Sequence, residues 1–228
     1  VIDTPIGLAM IKSLLFSEEI VDNKNKTIRE QYIISPPGVS RLNNLLKADS
    51  NSNIKIGLYK LPTNVELNIE ESKPAYDVRI FPSWSICNNN ENHPNKVNIL
   101  YRRARQVSGK WQYHCPICGP NYSSKSNVFK LVRICAAGHI DDFDFSYSIC
   151  GDKKCKTDNF HWIEEGLSND SIFIKCPVCE KKKSLEEIIN QQSKCSGRHP
   201  HMENVSKIER QKCNYITGVM KVTATNIF

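Results

Sequence analysis

The alternation of apolar and polar residues predicts both helices and strands in the first third of the chain. Apolar residues recur at helical spacing within residues 5–21, which predicts a helix there. The stretch "SPPGVSRLNNLL" predicts a turn followed by a short helix that begins near Ser40. The segments "NIKIGLYKL" and "VELNIE" alternate with period two, which predicts two strands joined by "LPTN". Residues 1–80 are therefore predicted to form a small mixed α/β region, and we find no catalytic constellation in it.

The pattern changes near residue 80, where Cys, His, Trp and basic residues become frequent. The segments "NVFKLVRICA" and "DSIFIKC" predict strands that lead into Cys135 and Cys176. The segment "SLEEIINQQ" predicts a helix with a capping box, because Glu187 follows Ser184 by three residues. Small zinc ribbons are built from a strand, a knuckle and then a helix or turn. We therefore expect an α+β fold with an N-terminal region at 1–80 and a zinc-ribbon and zinc-knuckle array at 81–228.

The cysteines indicate metal rather than disulfides. All ten lie at or beyond Cys87, and "CPICG" and "CPVCE" are C-x-x-C pairs typical of zinc knuckles. Disulfide scaffolds are usually small and secreted, whereas this 228-residue chain has neither a signal-peptide pattern nor an apolar run of about 20 residues. We expect two Zn²⁺ ions and a soluble protein in the reducing cytoplasm. Because the chain starts at Val1, we also expect a processed chain or a fragment.

A structural zinc site needs four Cys or His ligands, so each knuckle requires a second pair. For Cys176 and Cys179, the upstream Cys150 and Cys155 complete a ribbon spacing, C-x4-C-x20-C-x2-C.

The knuckle of Cys115 and Cys118 has two candidate pairs. The later pair is Cys135 with His139, which gives C-x2-C-x16-C-x3-H, and this spacing is modestly favoured. The earlier pair is Cys87 with His93.

The last two cysteines are Cys195 and Cys213, which have His199 and His201 between them. They are predicted to be buried free thiols, although a third site is open.

Positive charge is concentrated in one segment. The net charge is +7, and residues 92–140 contain eight Lys or Arg and neither Asp nor Glu, with five Tyr, Trp or Phe interleaved. Cations beside stacking-capable rings predict contact with a nucleic-acid backbone. The alternative is that these cations offset a thiolate-rich metal site. The predicted nucleic-acid contacts are Arg102, Arg103, Arg105, Lys110, Lys130 and Arg133.

Two catalytic interpretations compete with a purely structural one. In an HNH-type (ββα-metal) nuclease, both knuckles would share one zinc and His139 would act as general base, although Gly138 stands where Asp is usual. A zinc deaminase is excluded because "HME" is not followed by P-C-x-x-C. P-loop, G-x-S-x-G and dinucleotide-binding motifs are absent from the sequence. Asp141, Asp142 and Asp144 more often cap a turn than bind a cation. We therefore expect no enzyme, with the nuclease as the alternative.

Several motifs resemble those of one family. "RIFPSWSIC", "CPICG", "LVRICAAGHIDDFDF", "CSGRHPH" and "TATNIF" occur in the same order as in the helicase-associated subunit of the DISARM anti-phage system, the DrmB type. The resemblance implies a non-catalytic zinc subunit that sits on a superfamily 2 helicase and helps it engage or gate DNA. It implies that Cys87, Cys115 and Cys118 share a site, and that this chain is an N-terminal portion.

Overall fold

The computed structural model describes residues 9–13, 33–34, 40–41, 44, 58–59, 63–65, 70, 77–103, 105–107, 110–121, 126–151, 155, 157–200 and 210–222. Contacts divide the chain into two compact units. One unit is Ser13–Asp77, and the other joins Val1–Lys12 to Val78–Phe228. This grouping differs from the predicted division at residue 80 in that the first twelve residues join the later unit.

Short strands dominate the described residues before position 80. They are β1 (Ala9–Ser13), β2 (Ile33–Ile34), β3 (Leu58–Tyr59) and β4 (Asp77–Ile80). Strand β1 pairs with β4, and β2 pairs with β3. The helix predicted over residues 5–21 is therefore wrong at β1, because pairing with a strand far along the chain overrides the local periodicity. Ser40, Arg41 and Asn44 are helical, as predicted, whereas most of "VELNIE" lies outside the described residues.

The cysteine-bearing unit contains twelve further strands and two short helices among its described residues. In chain order they are β5 (Trp84–Cys87), β6 (Asn98–Arg102), β7 (Arg105–Val107), β8 (Lys110–Gln112), β9 (Ser126–Val128), β10 (Leu131–Ile134), β11 (Ile140–Asp141), α1 (Phe145–Cys150), β12 (Asn159–Glu164), β13 (Ile172–Lys175), β14 (Lys182–Ser184), α2 (Leu185–Asn190), β15 (Ser193–Lys194) and β16 (Ile216–Lys221). The predicted strand "NVFKLVRICA" is divided into β9 and β10, and "DSIFIKC" contains β13.

Two antiparallel sheets organise this unit. The larger has the strand order β14-β13-β12-β6-β5-β9, and the smaller has the order β11-β10-β16-β15. Strands β7 and β8 form a separate two-stranded sheet. The described fold is thus α+β, as expected, but it is more dominated by sheet than the sequence indicated.

The main core consists of apolar side chains from the six-stranded sheet and the two helices. Its centre is aromatic: the Trp84 ring meets Phe145 edge-on at 5.0 Å between centroids, and Trp84 Nε1 donates to the Phe143 carbonyl at 3.0 Å. Edge-on contacts of this kind add to the free energy gained from burial. The core therefore fixes the segment that follows His139 against strand β5.

Both helices begin at side-chain caps that the sequence contains. Ser184 caps α2 by accepting from Glu187 N at 3.1 Å, while Glu187 Oε2 accepts from Ser184 N at 2.7 Å. This confirms the predicted capping box. Asp144 caps α1 through a hydrogen bond from Tyr147 N at 3.0 Å. Within the described part of the chain, no helix has the length and apolar character needed to cross a membrane.

Candidate metal centres

All ten cysteines lie in three clusters, each of which has four Cys or His side chains. Within a cluster the ligand atoms lie within 4.8 Å of one another. Site A is Cys87, His93, Cys115 and Cys118; site B is Cys135, His139, Cys195 and Cys213; site C is Cys150, Cys155, Cys176 and Cys179. All ten cysteines are free thiols, so each cluster offers a complete set of four donors to a metal ion.

Site A lies where strand β5 ends. Cys87 Sγ is 3.6 Å from Cys118 Sγ, and Cys115 Sγ is 3.5 Å from His93 Nε2. His93 Nδ1 lies 2.9 Å from the Val97 carbonyl oxygen, which fixes the ring so that Nε2 faces the thiols. A backbone carbonyl on the second nitrogen is the usual way in which a metal-binding imidazole is oriented.

Site C joins the end of helix α1 to the turn after strand β13. Cys150 Sγ and Cys179 Sγ are 3.6 Å apart, and Val178 N donates to Cys176 Sγ at 3.4 Å. Lys181 Nζ also donates to the Cys150 carbonyl oxygen at 2.8 Å. This grouping is the one that the ribbon spacing predicted.

Site B is held by the four-stranded sheet. Cys135 follows β10, and its Sγ lies 3.3 Å from His139 Nδ1 and 4.0 Å from Cys213 Sγ. His139 Nε2 lies 3.4 Å from Gln211 Oε1, so Nδ1 is the nitrogen that faces the thiols. The opening of the "CSGR" segment closes the cluster, with Gly197 N donating to Cys195 Sγ at 3.3 Å.

Glycine is required at position 197, where the backbone beside site B passes close to Gln211. The φ of Gly197 is +70°, and a Cβ at this position would overlap the Gln211 carbonyl oxygen. Gln211 N also donates to the Gly197 carbonyl at 3.0 Å, so the two backbones approach closely. Only glycine meets both requirements without strain.

Sites A and B correct the pairing that spacing favoured. The knuckle of Cys115 and Cys118 joins Cys87 and His93, which was the second of the two alternatives, and Cys135 with His139 lies in another cluster. The reason is tertiary, because Cys135 leaves a strand of the four-stranded sheet whereas Cys87 ends a strand of the six-stranded sheet. Cys87, Cys115 and Cys118 do share a site, as the family resemblance implied.

Cys195 and Cys213, which were predicted to be free buried thiols, complete site B. Strand pairing of β15 and β10 with β16 brings them to Cys135. A signal for them was present in the sequence: ten cysteines plus two histidines at C-x5-H and C-x3-H spacing make three complete sets of four.

The thiols differ in how readily they ionise. Burial raises the pKa of Cys115 to about 12 and that of Cys195 to about 12, because a thiolate loses hydration there. Burial also tends to raise the pKa of Cys135, but hydrogen bonds from His139 and Ala137 outweigh this effect and lower the pKa to about 7. A backbone hydrogen bond from Lys181 is the main reason that the pKa of Cys179 is lowered to about 7.

One family model matches nearly the whole chain. It covers residues 8–228 and is described as a domain of unknown function, DUF8724. The chain belongs to the DUF8724 family. No curated protein matches this DUF8724 chain. The matched range includes every ligand of the three clusters.

The predicted basic surface of this DUF8724 member divides into exposed and buried residues. Arg102, Lys110 and Lys130 are exposed. Arg103 is 2% exposed and donates through Nη1 to the Pro82 carbonyl at 3.2 Å. The side chain of Arg105 lies outside the described residues.

Arg133 is likewise buried rather than available to nucleic acid. Its guanidinium donates to the Gln191 carbonyl at 3.1 Å and to the Ile188 carbonyl at 3.0 Å, and it lies 4.6 Å from the Phe143 ring centroid. Burial lowers its pKa. Arg103 and Arg133 are therefore corrected to structural residues, since each satisfies main-chain carbonyls that the fold has buried.

The acids after His139 hold the backbone rather than form an open cation cluster. Asp142 Oδ1 accepts from Ser83 N at 2.8 Å, and Arg198 Nη1 lies 2.7 Å from Asp141 Oδ1 and 3.6 Å from Asp142 Oδ2. Burial raises the pKa of the Asp142 carboxyl.

A cavity of about 860 Å³ adjoins these acids. Its lining includes Trp84 from "FPSW", Asp141 to Asp144 from "GHIDDFD", and Ser196 and Arg198 from "CSGR". Three segments that are distant in sequence therefore meet around one space.

Proposed function

We propose that this chain is a non-catalytic module built on three zinc ions, which contacts DNA beside a superfamily 2 helicase in anti-phage defence. The observation that carries the zinc assignment is the division of the cysteines into three sets of four donors. A zinc–sulfur bond of about 2.3 Å gives about 3.8 Å between the sulfur atoms of a tetrahedron. The sulfur–sulfur distances of 3.6 Å in sites A and C and of 4.0 Å in site B agree with that value.

A non-catalytic role is supported by the closed character of these clusters. Catalytic zinc sites keep one position for water or substrate, whereas structural sites use four protein ligands. His139, the general base of the alternative nuclease, has Nδ1 among the thiols of site B. The two knuckles also belong to different clusters, whereas the nuclease requires them to share one ion.

Contact with DNA is supported by the exposed part of the basic segment. Arg102, Lys110 and Lys130 are exposed, and residues 92–140 lack acidic side chains altogether. Exposed cations without competing carboxylates in the same segment favour binding to a phosphate backbone, with strong dependence on salt.

The helicase partner is supported by the motif order described above. Three of the segments that resemble the DISARM subunit, "RIFPSWSIC", "LVRICAAGHIDDFDF" and "CSGRHPH", contribute to the lining of one cavity, and "CPICG" contributes two cysteines to site A. A subunit of this kind would depend on its partner for ATP hydrolysis, and the sequence lacks a P-loop.

Zinc content per chain, with the ions located by anomalous scattering at the zinc edge, tests the foundation of the proposal. We expect three ions, each surrounded by one of the three ligand sets. A single ion shared by Cys115, Cys118, Cys176 and Cys179 would contradict the structural role and restore the nuclease.

A mobility-shift titration tests the DNA contact. We expect binding that weakens steeply as salt rises and that is reduced by the double substitution Lys110→Glu with Lys130→Glu. Lys221→Glu, which changes an exposed lysine on β16, is the matched control. Co-purification with a superfamily 2 helicase encoded in the same defence system tests the partner, and failure to associate would remove that part of the proposal.

A further inference from the structure

The cavity beside Asp141 has the size of a ligand site. Its volume of about 860 Å³ falls within the range of about 300–1,000 Å³ that is usual for small-molecule sites. Its walls come from both sheets and from helix α1: Arg102 is on β6, Lys194 on β15 and Tyr147 on α1. Most of the lining residues are polar or charged, which favours a polar ligand.

Much of the charge in the lining is already neutralised within the protein. Arg198 pairs with Asp141 and Asp142, and Arg133 donates to two main-chain carbonyls. The exposed charges at the rim that form no ion pair in the described structure are three cations and two carboxylates, Asp144 and Asp158, so cations are in excess. Arg102, Lys194 and Arg210 are exposed, line the cavity and form no ion pair within the described part of the chain. Three such cations around one concave space favour a ligand that carries phosphate.

Flat groups lie at the same rim. Tyr147 lines the cavity with 50% of its surface exposed, and the Arg102 guanidinium lies 5.5 Å from the Trp84 ring centroid. Aromatic rings and guanidinium planes are the surfaces on which nucleobases stack.

Groups that hydrogen-bond to a base or a sugar complete the lining. Asp144 and Asp158 are exposed carboxylates on the cavity wall, and carboxylates accept from the amino groups of bases. Ser196 also lines the cavity, and its buried Oγ has no hydrogen-bond partner in the described structure.

We propose that this cavity binds a phosphorylated nucleoside, either free or as an unpaired nucleotide of a strand. The phosphate lies against Lys194 and Arg210, and the base lies on Tyr147. The proposal deepens the nucleic-acid function proposed above. Binding of an unpaired nucleotide of a strand rests on that function, whereas binding of a free nucleotide does not. It uses residues that the DNA-contact test leaves unchanged, so the two can fail separately.

Isothermal titration calorimetry on the zinc-loaded full chain provides the test, with adenosine monophosphate and a 5′-phosphorylated single-stranded hexanucleotide as probes. Lys194→Gln and Arg210→Gln are each expected to weaken binding about tenfold, because each removes a charge-assisted hydrogen bond. Tyr147→Ala is expected to weaken it as well, whereas Tyr147→Phe keeps the ring and the affinity. Lys221→Gln, at an exposed lysine outside the lining, is the control and should bind as the unaltered chain does.

The outcomes separate the two sources and the two proposals. Binding of the monophosphate identifies a free nucleotide, and binding of the hexanucleotide alone identifies an unpaired strand. Binding of neither probe, or unchanged affinity in both the Lys194 and Arg210 variants, overturns the cavity proposal and leaves the mobility-shift test of DNA contact unaffected. Inorganic phosphate that competes as strongly as the monophosphate would show that the base takes no part, which also overturns it.

Discussion

Arg198 donates through Nη1 to Asp141 Oδ1 at 2.7 Å, while its own carbonyl accepts from Ile140 N at 3.1 Å. The first contact holds an acid of the cavity wall, and the second adds a main-chain link to strand β11. Because Arg198 follows Cys195 by three residues and Asp141 follows His139 by two, these two segments both contribute to site B and to the cavity wall. A change at either place is therefore expected to affect the other.

Substitution of Arg198 tests this connection. Arg198→Met removes the ion pair with Asp141 and leaves the buried Asp142 carboxyl without its cation. We expect a loss of about 2–3 kcal/mol in the free energy of unfolding, since breaking a largely buried pair leaves a carboxylate uncompensated. Chemical denaturation measures it, and Arg198→Lys, which restores the charge, should recover part of the loss. Equal stability of the Met variant and the unaltered chain would contradict the role given to Arg198.

Asp142 allows a test by pH. Burial raises the pKa of this carboxyl in the folded protein above its unfolded value, so its contribution to stability is lost as pH rises through the folded pKa. Asp142→Asn removes that titration and keeps an oxygen for Ser83 N. We expect the Asn variant to gain stability relative to the unaltered chain as pH rises from the unfolded-state pKa of the carboxyl through its raised folded pKa.

The matched variant at this position is Asp142→Ala, which removes the acceptor for Ser83 N. It is expected to follow the same trend with pH, because it too lacks the titrating carboxyl, and to be about 1–3 kcal/mol less stable than the Asn variant at every pH, because a buried amide is left unsatisfied. Thermal unfolding across the pH series distinguishes the two variants. An Asn variant whose relative stability does not change with pH would refute the effect of burial on Asp142.

The three metal clusters are expected to respond separately to the loss of one ligand. Cys213→Ser removes one donor from site B alone. Elemental analysis should find one zinc ion fewer per chain, while sites A and C keep theirs. Ser193→Ala, in the neighbouring strand β15, is the control and should retain all three ions. A variant that kept three ions would show that Cys213 is not a ligand.

A substitution at Gly197 provides a second test of site B. Gly197→Ala places a Cβ onto the Gln211 carbonyl and forces a positive φ on a residue that disfavours it. We expect weaker zinc retention in a competition with a chelator. Gly218→Ala, in strand β16, has open space around the new Cβ and should retain zinc as the unaltered chain does.

The capping box of α2 gives a prediction on stability that is separate from the metal sites. Ser184→Ala removes the acceptor of Glu187 N and is expected to cost about 1 kcal/mol. Ser184→Thr keeps a hydroxyl and should cost less. A lowered midpoint of thermal unfolding for the Ala variant alone would agree with the cap, and equal midpoints would count against it.

The sequence by itself determined the features that depend on neighbours along the chain. The ligand pair of each knuckle, the C-x4-C pair that completes site C, and the capping box at Ser184 and Glu187 all follow from short spacings. Their geometry is set by turns of a few residues, which the local sequence specifies.

Only the tertiary structure decided the remaining partners. Cys135 meets Cys195 and Cys213 because β16 pairs with both β10 and β15, and the residues 9–13 form a strand because β4 lies beside them. Arg103 and Arg133 count as surface charge in the sequence, yet both are buried, since main-chain carbonyls far along the chain accept their hydrogen bonds. Strand pairing and burial bring together residues that are distant in sequence. A local sequence pattern does not specify which distant residues become neighbours.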